Sequence, residues 1–279
     1  MKILQREWTN VKRDDVFRII PLGDVHLGNA ACDERLFQQV VKRIAEDSAC
    51  FWIGMGDFCE FIALHDPRWS VDSLAPWIRV SHLGDLARAQ RDRFLEMVQP
   101  IANRCLGLVE GNHERAIKRH YERDIYSDIV TSIKEAGGFA ADHALALGYY
   151  GWLILRFRRD ERLLRRVVRI NLHHGFVGGK LAGAKALNMQ RWLWTHEADL
   201  VIFGHSHNSA AQVETVERVT RAGKMIRENR VGCYAGSFLS GAEYAEQRGY
   251  FPLPLGYVEI VLQPGSQDPR QRLRVVMRQ

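Results

Sequence analysis

Short apolar runs alternate with amphipathic stretches along the first half of the chain. Val16 to Leu22, Ala49 to Met55 and Arg104 to Glu110 have the composition of buried strands, and glycine or charged residues follow them. Between the first two runs, Glu34 to Glu46 carries apolar residues at helical spacing. This alternation predicts β-α-β units and an α/β fold class.

The stretch at about residues 58–99 interrupts this rhythm with prolines and turns before a predicted helix at Leu83 to Val98. We expect this stretch to be an insertion over the functional site, within a single domain of residues 1–279. Arg115 to Glu135 is predicted to be one strongly charged helix that ends at a glycine pair.

The second half of the chain contains more strand-like segments. Trp152 to Arg159 and Leu163 to Leu172 alternate around Asp160-Glu161 and predict a hairpin. A helix is predicted at Leu181 to Thr195, and a strand at Asp199 to Phe203. Further strands are predicted at Gln212 to Val219, Met225 to Tyr234 and Tyr257 to Leu262.

Composition and charge narrow the classes of protein. An apolar content of 46% with 26% charged residues is ordinary for a globular protein, and a net charge of +6 favours an anionic partner. The five cysteines form no CxxC pair and are odd in number, which excludes a disulfide framework and favours a reducing cytoplasm. No apolar run approaches the roughly 18 residues of a membrane span, so no membrane partner is expected.

Residues able to bind metal ions follow five of the apolar runs. These turns are Gly23-Asp24-Val25-His26, Gly56-Asp57, Gly111-Asn112-His113-Glu114, His173-His174-Gly175 and Gly204-His205-Ser206-His207. Two divalent ions about 3.5 to 4 Å apart need a bridging carboxylate and further ligands on each side. Because carboxylate, amide and imidazole groups are mixed here without cysteine, the turns predict a site for Mn²⁺, Fe or Zn²⁺.

In this order, the five turns resemble the signature of the calcineurin-like metallophosphoesterase family. The resemblance spans Gly23 to His207 and implies a four-layer αββα sandwich with the site at the strand ends. It also implies two divalent ions, with Mn²⁺ favoured, and hydrolysis of a phosphate ester by in-line attack of a hydroxide that bridges the ions.

The resemblance assigns a role to each matching residue, in two ligand sets that share one carboxylate. The ligands of the first ion would be Asp24, His26 and His207, and those of the second would be Asn112, His205 and either His173 or His174. Asp57 would bridge the two ions. His113 would protonate the leaving oxygen, and its alternative role is a hydrogen bond that supports a ligand.

The metal centre alone does not define the substrate. We expect a phosphodiesterase, with nucleic acid among the candidate substrates, because cationic and aromatic residues lie near the implied catalytic turn in sequence. These residues are Arg115, Lys118, Arg119, Trp69, Trp77 and Tyr121. The alternatives are a phosphomonoesterase, a nucleotide pyrophosphatase, or a non-catalytic binding or scaffold protein on the same fold.

Two other basic features are expected to be structural. The arginine-rich hairpin around Asp160-Glu161 is interpreted as a solvated sheet edge. Gly178-Gly179-Lys180 lacks the spacing of a nucleotide-binding P-loop, so Lys180 is interpreted as a loop lysine.

Overall fold

A computed structural model describes residues 2–62, 66, 68–175, 181–241 and 254–279. Twelve strands lie within these residues. They are β1 (Lys2–Trp8), β2 (Phe17–Leu22), β3 (Cys50–Gly54), β4 (Cys105–Val109), β5 (Ala146–Gly148), β6 (Tyr150–Arg158), β7 (Leu164–His173), β8 (Leu200–Phe203), β9 (Ser209–Val219), β10 (Met225–Ser237), β11 (Gly256–Leu262) and β12 (Leu273–Arg278).

The helices of the described residues connect or cover these strands. They are α1 (Glu34–Glu46), α2 (Leu86–Val98), α3 (Asn112–Tyr121), α4 (Ile125–Ala136), α5 (Ala182–Thr195) and α6 (Pro269–Arg272), with 3₁₀ helices at Val71–Ser73, Val80–Asp85 and Gln99–Arg104. None of these helices combines the length and the apolar character that a bilayer crossing requires.

Strand β10 joins two sheets. Its residues from Met225 to Ala235 pair with β9, and those from Val231 to Tyr234 pair with β8 on the other side. Its last residues, Gly236 and Ser237, pair with β11. Gly236 allows the crossing because its φ is +95° and a Cβ there would lie 2.1 Å from the carbonyl oxygen of Gly256. One sheet therefore contains β1, β6, β7, β8, β9 and β10, and the other contains β2, β3, β4, β5, β11 and β12.

Apolar side chains fill three layers between these elements. Leu153 of one sheet and Ile53 of the other belong to the core between the sheets. Phe37 of α1 and Phe94 of α2 cover the outer face of the second sheet, and Met189 of α5 covers the outer face of the first. The resulting order of helix, sheet, sheet and helix confirms the predicted αββα sandwich.

The predicted helix at Arg115 to Glu135 was wrong in one respect, because the structure has two helices there. Glu122 follows α3 with a φ of +55°, a left-handed conformation that ends a helix. Asp124 then begins α4 by accepting a hydrogen bond from the backbone N–H of Ser127 at 3.0 Å.

The predicted hairpin is confirmed as β6 and β7, with Asp160 accepting two backbone hydrogen bonds in its turn.

Candidate metal centre

The five turns meet because their strands end at the same edges of the two sheets. Strands β2, β3 and β4 are parallel in one sheet, and β7 and β8 are parallel in the other. The carboxyl ends of parallel strands face the same side, where open α/β sheets place their ligand sites. The residues predicted from the motifs lie at the ends of these five strands, in the loops that follow them or in the first turn of α3.

The first cluster contains Asp24, His26 and His207, whose ligand atoms all lie within 4.8 Å of one another. Nε2 of His207 is 3.2 Å from Nε2 of His26 and 3.7 Å from Oδ1 of Asp24. The other carboxylate oxygen of Asp24 accepts a hydrogen bond from the backbone of His205 at 2.8 Å. Its Oδ1 is buried and has no hydrogen-bond donor among the described residues, which fits an oxygen that binds a cation.

The second cluster contains Asp57, His174 and His205, again within 4.8 Å. Nε2 of His174 is 3.3 Å from Oδ2 of Asp57 and 3.0 Å from Oδ1 of Asn112. The same Oδ2 of Asp57 is 3.9 Å from Nε2 of His26 in the first cluster. Asp57 therefore lies between the two clusters, as a bridging carboxylate must.

In two of the histidines, a hydrogen bond from Nδ1 orients the ring so that Nε2 faces the site. His174 donates from Nδ1 to the carbonyl oxygen of Met55 at 2.7 Å, so its Nε2 can present a lone pair. Nδ1 of His26 lies 2.8 Å from Oε2 of Glu60 and donates to that carboxylate. Both arrangements orient Nε2 as metal ligands require.

His113 lies in the first turn of α3, next to Asp57 and His26. Its backbone N–H donates to Oδ1 of Asp57 at 2.9 Å, and its Nδ1 donates to the carbonyl oxygen of Glu60. The ring of His113 meets the ring of His26 edge-on at 4.7 Å. Burial alone would lower the pKa of His113, but the carboxylates of Asp57 and Glu60 raise it.

Glu114 fastens the loops after β3 and β4 to each other. Its carboxylate accepts backbone hydrogen bonds from Asp57, Phe58 and Gly111 at 2.8–2.9 Å. Gly111 is required by close approach, because a Cβ there would lie 2.2 Å from Oδ1 of Asp57. Burial, reinforced by the charge of Asp57, raises the pKa of Glu114 to about 7.

Glu60 and Glu114 were missed as functional residues by the sequence reasoning. Glu60 follows Asp57 by three residues and holds His26 with its side chain and His113 with its backbone carbonyl. Glu114 is the third residue of α3, where a glutamate that reaches back to the residue before the helix is a capping signal. That spacing could have identified Glu114.

The backbone is strained at the site. Five of the eight non-glycine residues with positive φ in the described chain belong to the clusters, with φ between 47° and 62°. They are Asp24, His26, Asp57, His205 and His207. Such left-handed residues cost about 1–3 kcal/mol each and are concentrated at functional sites.

The electrostatics of the clusters fit bound cations. Burial raises the pKa of Asp24 well above its usual range. Burial would raise the pKa of Asp57 too, but the positive charge of the His174 imidazolium holds that pKa well below the usual range. Burial would lower the pKa of His174, but the charge of Asp57 raises it to about 10, so a metal ion bound there would replace the proton on Nε2 of His174. Burial lowers the pKa of His205 to about 4 and lowers that of His207 well below its usual range, which favours neutral imidazoles of the kind that metals bind.

Of the two adjacent histidines, the structure places His174 in a cluster and His173 outside both. The Nδ1 of His173 accepts a hydrogen bond from the backbone N–H of Gly175 at 2.8 Å. Its ring packs edge-on against Trp192 of α5, and burial lowers its pKa to about 4. His173 therefore faces the helix layer rather than the clusters.

The candidate substrate residues have different environments. Lys118 forms an ion pair with Asp124, and the indole of Trp77 donates to Glu34 at 2.6 Å. Arg115 instead lies over the ring of Tyr149. Of the remaining candidates, Tyr121 and Arg119 are exposed and Trp69 is partly buried.

In the arginine-rich hairpin, Arg158 pairs with Glu7 at 2.9 Å and Arg169 with Asp199 at 3.3 Å. These pairs agree with the structural interpretation of the hairpin. Gly178-Gly179-Lys180 lies outside the described residues.

Comparison with known families agrees with this site. The model of the calcineurin-like phosphoesterase family matches residues 17–209, which include all five turns. The chain therefore belongs to the calcineurin-like phosphoesterase family. No curated protein matches the chain.

Several solved structures match the chain at low sequence identity. A predicted phosphoesterase from Streptococcus pneumoniae is 14% identical, with 95% of this chain and 99% of that chain covered and a TM-score of 0.37. A Vps29 double mutant from Entamoeba histolytica is 10% identical, with 95% and 100% covered and a TM-score of 0.41. The nuclease MPE of Pseudomonas putida is 14% identical, with 92% and 87% covered and a TM-score of 0.34.

Proposed function

We propose that this protein hydrolyses phosphodiesters at a dinuclear divalent-metal centre. The observation that carries the proposal is the position of Asp57, whose Oδ2 faces His174 at 3.3 Å and His26 at 3.9 Å. A carboxylate between two clusters of imidazoles can belong to two coordination shells. The proposed ligands are Asp24, His26, Asp57, Asn112, His174, His205 and His207.

The mixture of carboxylate, amide and imidazole ligands suits Mn²⁺, with Fe or Zn²⁺ as alternatives. When bound, two such ions activate water and neutralise charge on the phosphoryl oxygens. The buried Oδ1 of Asp24, which lacks a donor among the described residues, supports this assignment.

We assign His113 as the proton donor to the leaving oxygen. Its Nδ1 is held by the carbonyl of Glu60, which leaves Nε2 to deliver a proton. Its backbone hydrogen bond to Asp57 ties its position to the proposed bridge. The protonated ring would be stabilised by the neighbouring carboxylates.

Positive charge favours a polyanionic phosphodiester, with nucleic acid among the candidate substrates, over a small phosphomonoester. The chain carries a net charge of +6, and Arg115 is exposed three residues after Asn112. Cationic surface near a phosphoesterase site favours polyanionic substrates.

The proposal also includes a single domain of residues 1–279, with the stretch at about residues 58–99 as an insertion over the site.

We place the protein in the cytoplasm. The observation that supports this assignment is that all five cysteines are free thiols, as a reducing compartment would keep them. Four of the five are buried.

A substrate panel with Mn²⁺-loaded protein tests the proposed function. Bis-p-nitrophenyl phosphate should be hydrolysed faster than p-nitrophenyl phosphate, and single- and double-stranded DNA should be tested beside them. Preference for the monoester would indicate a phosphomonoesterase. Turnover of no ester by protein that holds two metal ions would contradict the proposal and favour a binding or scaffold role.

A further inference from the structure

Arg115 contacts an aromatic ring beside the second cluster instead of a carboxylate. Its guanidinium carbon lies 4.9 Å from the centroid of the Tyr149 ring, within the range of a cation–π contact. Arg115 is exposed and forms no ion pair within the described part of the chain. Glu110 attracts it only through longer-range Coulomb interaction.

Tyr149 connects this guanidinium to the second cluster. Its ring meets the ring of His174 edge-on at 5.4 Å, and its hydroxyl donates to the carbonyl oxygen of Gly175 at 2.9 Å. The contact with His174 and the hydrogen bond of the hydroxyl together orient the Tyr149 ring. Arg115 and the candidate ligand Asn112 are three residues apart on α3, a spacing that puts their side chains on the same side of the helix.

Two other cations, one on α3 and one just after it, are paired with carboxylates. Lys118, one turn further along α3, pairs with Asp124, and Arg123 pairs with Asp85 at 3.0 Å. A guanidinium supported by a π face retains its charge and its N–H donors for an anion. Arg115 is therefore available to a ligand in a way that Lys118 and Arg123 are not.

The scissile phosphate would already be neutralised by the two ions of the proposed function, on which this inference rests. We propose that Arg115, supported by Tyr149, binds a second phosphate group of the substrate, next to the scissile one. The substrate class is then a phosphodiester or phosphoanhydride that carries an adjacent phosphate. A polynucleotide chain and a nucleotide polyphosphate both have this chemistry.

Paired substrates test the proposal with the metal-loaded full chain. The first pair is the thymidine dinucleotide with and without a 5′-phosphate, and the second is diadenosine tetraphosphate and the p-nitrophenyl ester of AMP. In each pair only the first compound has a phosphate beside the scissile one. Bis-p-nitrophenyl phosphate reports turnover that needs no second phosphate.

Arg115→Ala should lower kcat/KM by about tenfold or more for the compounds with a second phosphate, since a charge-assisted hydrogen bond is lost. Its kcat/KM for bis-p-nitrophenyl phosphate should stay within about twofold of wild type. Arg115→Lys should restore part of the loss because it keeps the charge. Arg221→Ala removes the same charge from the exposed turn after β9 and should leave every kcat/KM unchanged.

Equal effects of Arg115→Ala on both members of every pair, or no effect on either, would overturn the inference while leaving the proposed function intact. A selective effect in the dinucleotide pair alone would assign a polynucleotide, and one in the tetraphosphate pair alone a nucleotide polyphosphate. Wild-type protein that holds two metal ions and turns over no ester would overturn the proposed function, and this inference with it.

Discussion

The Nε2 atoms of His26 and His207 face each other at 3.2 Å in the first cluster. Because Nδ1 of His26 donates to Glu60, its Nε2 directs a lone pair toward His207 and toward the unpartnered Oδ1 of Asp24. Burial also lowers the pKa of His207 well below its usual range, so its imidazole stays neutral. A proton on His207 therefore does not take the place of a metal ion between these groups. Bound metal ions should therefore contribute to stability.

Removal of metal is expected to lower the melting temperature. A ligand that binds only the folded state at a hundred times its Kd stabilises that state by about 2.7 kcal/mol. Scanning calorimetry before and after chelation, and again after Mn²⁺ is restored, measures the effect. An identical melting temperature for protein shown by elemental analysis to be metal-free would contradict the expectation.

The adjacent histidines provide a matched pair of variants. His174→Ala should lose metal from the second cluster, since Nε2 of His174 faces Asp57 and Asn112. His173→Ala should keep the wild-type metal content because its ring packs against Trp192. Elemental analysis of both folded variants makes the comparison, and metal loss from His173→Ala alone would reverse the assignment.

Glu60 should act on metal binding through His26. Glu60→Ala removes the acceptor of the His26 Nδ1–H and is expected to weaken metal affinity by about 10- to 100-fold. Glu60→Gln retains a carbonyl oxygen and should lose less. Metal titrations of the two variants measure the difference. Equal affinities for wild type and Glu60→Ala would show that this hydrogen bond does not orient the ligand.

His113→Ala is expected to lower the rate by about 10² to 10⁴ while the metal content stays intact. The loss should be larger for an alkoxide leaving group than for p-nitrophenolate, because a poor leaving group depends more on protonation. Steady-state rates with diesters of both kinds measure this difference. Equal losses would favour a role for His113 in supporting a ligand.

Much of the fold was predictable because its strands and helices have regular periodicity. The predicted bounds of the helix at Glu34 to Glu46 are those of α1, and β3, β4 and β8 lie inside the predicted runs. Strands β1, β5 and β12 were not predicted. β5 is only three residues long, and β1 and β12 contain several charged residues. β1 is specified by pairing with β6, about 150 residues away in sequence, rather than by its own pattern.

The residue types of the candidate metal ligands were predictable from the sequence, but the orientation of their side chains was not. His173 ends β7 on the face that carries Asn171, whose side chain accepts a hydrogen bond from Trp192 of α5. Successive residues alternate between faces, so His174 points away from that helix. The choice between the histidines therefore depends on where α5 packs. The left-handed conformations of Asp24 and Asp57 likewise depend on the assembled loops.

The metal stoichiometry and turnover of wild type and Asp57→Asn test the central claim most directly. Elemental analysis should find two divalent ions per wild-type chain, and bis-p-nitrophenyl phosphate should be hydrolysed. Asp57→Asn should lose metal from both clusters and lose turnover, because this carboxylate lies between them at 3.3 Å from His174 and 3.9 Å from His26. Full occupancy by two ions together with normal turnover in Asp57→Asn would contradict the account.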